Sequence, residues 1–90
     1  MVNVRPEQVR GARAMLGWSQ DELAGRVGVQ RRVILDFESG RRLPHESTIE
    51  ALHRVLSESG ITFTHTADGS VGVYMSRTAP IAAGTRSKSR

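Results

Sequence analysis

Apolar residues recur at helical spacing through the first sixty positions, and the pattern then switches to strict alternation. Val9, Ala12 and Leu16 fall on one helix face, with Arg13 beside them, and predict a first helix over Pro6–Leu16. Pro6 suits its first turn, where the missing N–H has no helical partner to lose, and Gly17 ends it. Ser19 followed three residues on by Glu22 is a capping box, and Asp21 and Glu22 sit at the positive end of the helix dipole. Leu23, Ala24 and Val27 supply the apolar face of this second helix, Gln20–Val27, and Gly28 supplies a left-handed stop. A third helix is expected over Gln30–Ser39, closed by Gly40. Either Val33 or Ile34 faces inward with Phe37, while Arg31, Arg32, Leu35 and Asp36 occupy the other face. Arg41-Arg42-Leu43-Pro44 reads as a loop, because Pro44 disfavours helical backbone at Leu43. Ile49, Leu52 and Leu56, flanked by Val55, mark a fourth helix over Glu46–Ser59, closed by Gly60.

Ile61-Thr62-Phe63-Thr64 then alternates as a half-buried strand does, Asp68-Gly69 is a hairpin turn signal, and Val71, Val73 and Met75 alternate again. A two-stranded hairpin is expected over Ile61–Met75. From Thr78 onward the chain is Ala, Gly, Ser, Thr and basic residues, the composition of a disordered tail. The fold class is therefore mostly α: a compact four-helix domain over residues 1–60, a C-terminal β-hairpin over 61–76 and a basic tail over 77–90. A lone hairpin is marginal in water. Its apolar face, Ile61, Phe63, Val71, Val73 and Met75, could lie on the fourth helix, its edge could also pair with the same edge of a second chain, and a homodimer through this hairpin is the expectation.

Ninety residues fit one domain, with a core small enough that a second subunit would support it. The formal charge is +4, but Arg77, Arg86, Lys88 and Arg90 all follow the last acidic residue, Asp68. Subtracting those four from thirteen basic residues leaves nine, against nine acidic ones, so residues 1–76 are neutral in balance. Any nucleic-acid site must arise from local clustering. There is no cysteine, no apolar run long enough to span a bilayer, and no apolar stretch in Met1–Pro6 of the kind a signal peptide carries. A cytoplasmic location is expected. His45, His53 and His65 fall in a loop, a helix and a strand without metal-ligand spacing, and no nucleophile motif or Gly-rich phosphate loop is present. His45 is expected at a helix start and the other two at the surface. No catalytic residue, metal or cofactor is expected, and the protein is not read as an enzyme.

Two short helices joined by the tight Gly28-Val29 turn form a helix-turn-helix arrangement, in which the second helix can enter a major groove while the first braces it. Leu23, Ala24, Val29, Ile34 and Phe37 are the apolar set that locks such a crossing, with Ala24 small where the helices approach. On Arg13, Leu16-Gly17-Trp18-Ser19-Gln20, Glu22-Leu23-Ala24, Gly28-Val29, Ile34, Phe37-Glu38, Gly40 and Pro44, the segment Val9–Leu56 resembles the Cro/repressor (XRE) family of lambda-repressor-like helix-turn-helix domains. The resemblance covers about half the chain, without insertions.

That resemblance implies roles residue by residue. Gln20 matches a position that hydrogen-bonds a DNA phosphate, Gln30 the start of the recognition helix, and Arg31, Arg32 and Asp36 the positions facing base edges. Arg13 and Glu38 match a buried structural ion pair. The residues themselves agree in part: Arg31 and Arg32 carry the bidentate fork that suits guanine, and Arg41 and Arg42 could hold phosphates from the following loop. Asp36 could accept from cytosine N4 or orient Arg32 four residues earlier. Leu35 could contact a thymine methyl or pack on a neighbouring subunit. Gln30 departs from the usual Ser or Thr cap, and Val33 stands where Thr is common. Trp18 reads as a partly buried support rather than a base-stacking platform. The implied function is a regulator of transcription, a repressor binding an inverted repeat of double-stranded DNA as a homodimer. The alternatives are an antitoxin that captures a toxin partner and represses its own operon, and a helix-turn-helix used only as a protein adaptor.

Overall fold

A computed structural model describes residues 3–76. The elements are α1 (Pro6–Leu16), α2 (Gln20–Val27), α3 (Arg31–Glu38), α4 (Glu46–Glu58), β1 (Ile61–His65) and β2 (Val71–Met75). The first two helices have the bounds read from the sequence, and their ends show why. Pro6 occupies the first turn of α1, and Gln8 Oε1 accepts from the Arg5 N–H at 2.9 Å. Gly17 leaves α1 at φ 72° and Gly28 leaves α2 at φ 90°, both in the left-handed region that a Cβ penalises. Helix α3 is shorter than expected at both ends. Gln30 is its N-cap and offers no side-chain cap hydrogen bond, while Ser39 is its C-cap. Helix α4 likewise stops one residue early, with Ser59 as its cap and His45 as its N-cap.

One buried cluster runs through all the elements except β2: Val4, Val9, Ala12, Leu23, Ala24, Ile34, Phe37, Leu52, Leu56 and Ile61. Ile34, not Val33, is the inward residue of α3. Phe63 and Val73 pack against this cluster from the hairpin. The strands pair antiparallel, with Phe63 opposite Val73 and Thr64 opposite Gly72.

The hairpin packs on α1 through β2 and on α4 through β1, so the expectation that it rests on the fourth helix is only half of the arrangement. At Gly11 a Cβ would come 3.2 Å from Val73 Cγ2, so the glycine lets α1 and β2 approach. Beside it, the buried amide of Gln8 donates to the carbonyls of Thr64 at 3.2 Å and Gly72 at 3.0 Å, tying the helix to both strands. His53 is also not a free surface residue: its ring stacks on Phe63 with centroids 4.8 Å apart. Met75, counted with the apolar face, is exposed. The expected basic tail lies outside the described residues.

Candidate nucleic-acid interface

Helix α3 is held against α2 by a short turn. The Gly28 and Val29 N–H groups donate to the Ala24 carbonyl at 2.8 and 3.0 Å, closing α2 and starting the chain toward α3. Leu23 and Ala24 on one side and Ile34 and Phe37 on the other are buried, which fixes the crossing. At the start of α2, Ser19 Oγ accepts from the Glu22 N–H at 3.0 Å. The opposite face of α3 is left open, with Arg31 and Arg32 exposed in its first turn.

Those arginines are not isolated. Arg31 Nε lies 3.5 Å from Asp21 Oδ1, and Arg32 Nε lies 3.7 Å from Asp36 Oδ2. From the loop after α3, Arg41 Nη1 reaches to 3.9 Å from Asp36 Oδ1. Asp36 itself is 9 % exposed, and its Oδ1 has no hydrogen-bond partner among the described residues. Arg42 is exposed, as is Gln30, and Leu35 is half-buried. A cleft of about 540 Å³ beside α3 is lined by Gln30, Arg32, Asp36, Arg42 and His45, among others.

A second polar assembly anchors α3 to α1. Arg13 Nε and Nη2 donate to the two Glu38 carboxylate oxygens at 2.7 and 2.9 Å, and Arg13 Nη1 donates to the Trp18 carbonyl at 3.0 Å. Glu38 is buried, and its hydrogen bonds hold the Arg13 guanidinium above its usual range, with partial burial opposing. Gln20 Nε2 joins the cluster, donating to Glu38 Oε1 at 3.2 Å, and Arg10 donates to the Glu38 backbone carbonyl. Gln20 thus stands at the start of α2 with its amide turned to the ion pair. Trp18 is half-buried and covered by the Arg26 guanidinium, 4.2 Å from its ring centroid.

Of the residues singled out from the sequence, Arg31, Arg32, Asp36, Arg41 and Arg42 gather along α3 and its following loop, with Gln30 at the helix start. Arg13, Gln20 and Glu38 form the adjoining joint. Two participants are not among the residues singled out: Asp21, which the sequence marks only as a helix-dipole residue, and Arg10, which carries no signal. The reach of the expected Arg41 back to Asp36 is a loop contact with no fixed spacing. Among the described residues no cluster of His, Asp or Glu could hold a metal, and no helix is long and apolar enough to cross a membrane.

The helix-turn-helix family model matches residues 9–61. The chain is also similar to multiprotein-bridging factor 1 of Schizosaccharomyces pombe, 30 % identical over 50 residues. That match takes in 56 % of this chain and 34 % of the relative, so the chain spans about a third of the relative's length.

Proposed function

The chain belongs to the helix-turn-helix family of Cro/repressor-type DNA-binding domains, and from that premise we propose that it regulates transcription by binding a specific double-stranded sequence. It acts as a repressor, by occupancy rather than catalysis, in the cytoplasm and on the nucleoid. A homodimer reads an inverted repeat, with two symmetric copies of α3 in successive major grooves about one helical turn apart. The hairpin, whose β2 end exposes Tyr74 and Met75, contributes to the contact between copies.

The observation that supports this reading is the open face of α3. Arg31 and Arg32 are exposed in its first turn, and the hairpin packs on α1 and α4. The N-terminal turn of a recognition helix goes deepest into the groove, and each good Arg–guanine pair is worth roughly 1–3 kcal/mol of discrimination. The test is selection of bound sequences from a random duplex pool, with light scattering of the protein alone and on DNA. A palindromic winner, lost with Arg31→Ala plus Arg32→Ala, is the expected result. A pool with no winner, or a stable monomer on the selected DNA, overturns the corresponding part. Gln20→Ala should weaken all duplexes alike while leaving the salt slope unchanged, because its amide carries no charge.

A second reading is favoured by the name of the relative, a bridging factor. If this chain were instead a protein adaptor, removing both Arg31 and Arg32 guanidinium groups would leave its partner binding intact.

A further inference from the structure

Asp36 stands at a position that the family resemblance assigns to base edges, yet its side chain is mostly buried. Of its two carboxylate oxygens, Oδ1 has essentially no solvent-accessible surface and no hydrogen-bond partner among the described residues, and Oδ2 lies on the side of Arg32. Around it lie two long cations from different elements. Arg32 comes from the same helix one turn earlier, with Nε 3.7 Å from Oδ2. Arg41 comes from the loop beyond the helix, with Nη1 3.9 Å from Oδ1. Both arginine side chains are mostly exposed, 74 % and 68 %, whereas that of Asp36 is 12 % exposed. The carboxylate is the fixed point and the guanidinium groups are the movable arms. Arg31 offers a contrast on the same face: its partner Asp21 is itself 79 % exposed, so that pair has no buried anchor and is screened by solvent.

Resting on the DNA-binding reading above, we infer that Asp36 is a positioning residue that makes no base contact and sets sequence preference by tethering Arg32 and Arg41 together over the groove face of α3. The separations are ion-pair rather than hydrogen-bond distances, so both forks keep their N–H donors free for other acceptors. A tethered Arg32 reaches guanine O6 and N7 from one direction only, which narrows the base pairs it can satisfy. A tethered Arg41 is set to meet the adjacent phosphate. The same carboxylate subtracts charge from the interface and so holds down attraction to phosphates of any sequence.

The experiment compares bound-sequence selection, and affinity for the winning and a scrambled duplex, for the unchanged protein, Asp36→Asn, Arg32→Ala, Arg41→Ala and Asp21→Asn. Asp36→Asn is expected to lose enrichment at the guanine position that Arg32→Ala loses, and to bind the scrambled duplex more tightly. The ratio of specific to scrambled affinity should fall about tenfold, within the range of one bidentate contact. The double variant Asp36→Asn with Arg32→Ala should lose no further enrichment at the Arg32 guanine position than Arg32→Ala alone. Asp21→Asn should keep the motif. Arg41→Ala, an exposed change that leaves Asp36 in place, should shift enrichment at the Arg32 position although Arg41 touches no base. That variant carries the test if Asp36→Asn fails to fold. The inference is overturned if Asp36→Asn keeps the full motif. It is equally overturned if it relaxes only a cytosine or adenine position while the Arg32 guanine stays enriched, since Asp36 would then be reading a base amine. Failure of the unchanged protein to select any motif would remove the DNA-binding reading itself, and this inference with it.

Discussion

The two flanks of α1 are joined to the rest of the protein by opposite chemistries. Toward α3 the joint is ionic, with Arg13 set in a two-bond fork on buried Glu38 and Gln20 completing the acceptor. Toward the hairpin the joint is neutral, with the Gln8 amide spanning two strand carbonyls beside the Gly11–Val73 contact. The difference lies in how the buried partner is satisfied. Glu38 is a buried charge, offset because Arg13, which keeps 22 % of its side chain in solvent, and Gln20 give its two oxygens three donors. Gln8 is 1 % exposed and uncharged, and an amide with its donors and acceptor occupied costs little to bury. A small core can hold a polar joint by a charge only when that charge is fully compensated, and by a neutral amide at less cost.

That contrast can be broken first at its ionic side. Glu38→Ala strands a half-buried guanidinium and is expected to lower stability by about 3 kcal/mol, the low end for breaking a buried pair because Arg13 is partly solvated. Urea unfolding followed by circular dichroism reads the change. Gln8→Ala removes the hydrogen bonds to Thr64 and Gly72 and is expected to cost about 2 kcal/mol in the same measurement. If the order of the two were reversed, the neutral joint would be the stronger. The closeness of the hairpin joint is sharpened by two glycines in helix interiors. Gly25→Ala meets nothing within 4 Å and should stabilise by roughly 0.5–1 kcal/mol, whereas Gly11→Ala should gain less, because its Cβ meets Val73. Equal gains in melting experiments would mean that the hairpin yields freely.

The smallest effect lies at the hairpin tip. Hydrogen bonds from the Thr66 hydroxyl and then from Ser70 lower the Asp68 carboxyl from its usual 3.8 to about 2. A group depressed in the folded state contributes stability above its ordinary value and loses it as pH falls toward the folded one. The tip should therefore loosen between about pH 4 and pH 2, with the Ser70 amide resonance titrating near pH 2, and Asp68→Ala should abolish that titration.

What could be read from the sequence was what is local. Pro6, Ser19, Gly17 and Gly28 fix helix ends through the backbone of their own neighbours, and those ends fell where the residues placed them. Arg13 and Glu38 came forward only through family resemblance, because nothing in a spacing of 25 residues signals a pair. Gln8 stays hidden for a related reason: a polar residue beside an apolar stripe looks solvated until its acceptors, more than fifty residues away, are brought to it. Asp36 followed the helical period onto the outer face of α3, but the loop carrying Arg41 folds back over it, and a periodicity cannot foresee a cover supplied by a loop. His53 is covered in the same way, by Phe63 from β1.

The bridge from Gln8 to Thr64 and Gly72 also bears on the order in which the molecule comes together. Its two bonds span 56 and 64 positions, so α1, made before the other described helices, cannot fill that amide until β2 has emerged. Until then its hairpin-facing side waits uncovered. Of the described helices the earliest made is thus among the last to be finished, and it waits on the closing of the hairpin.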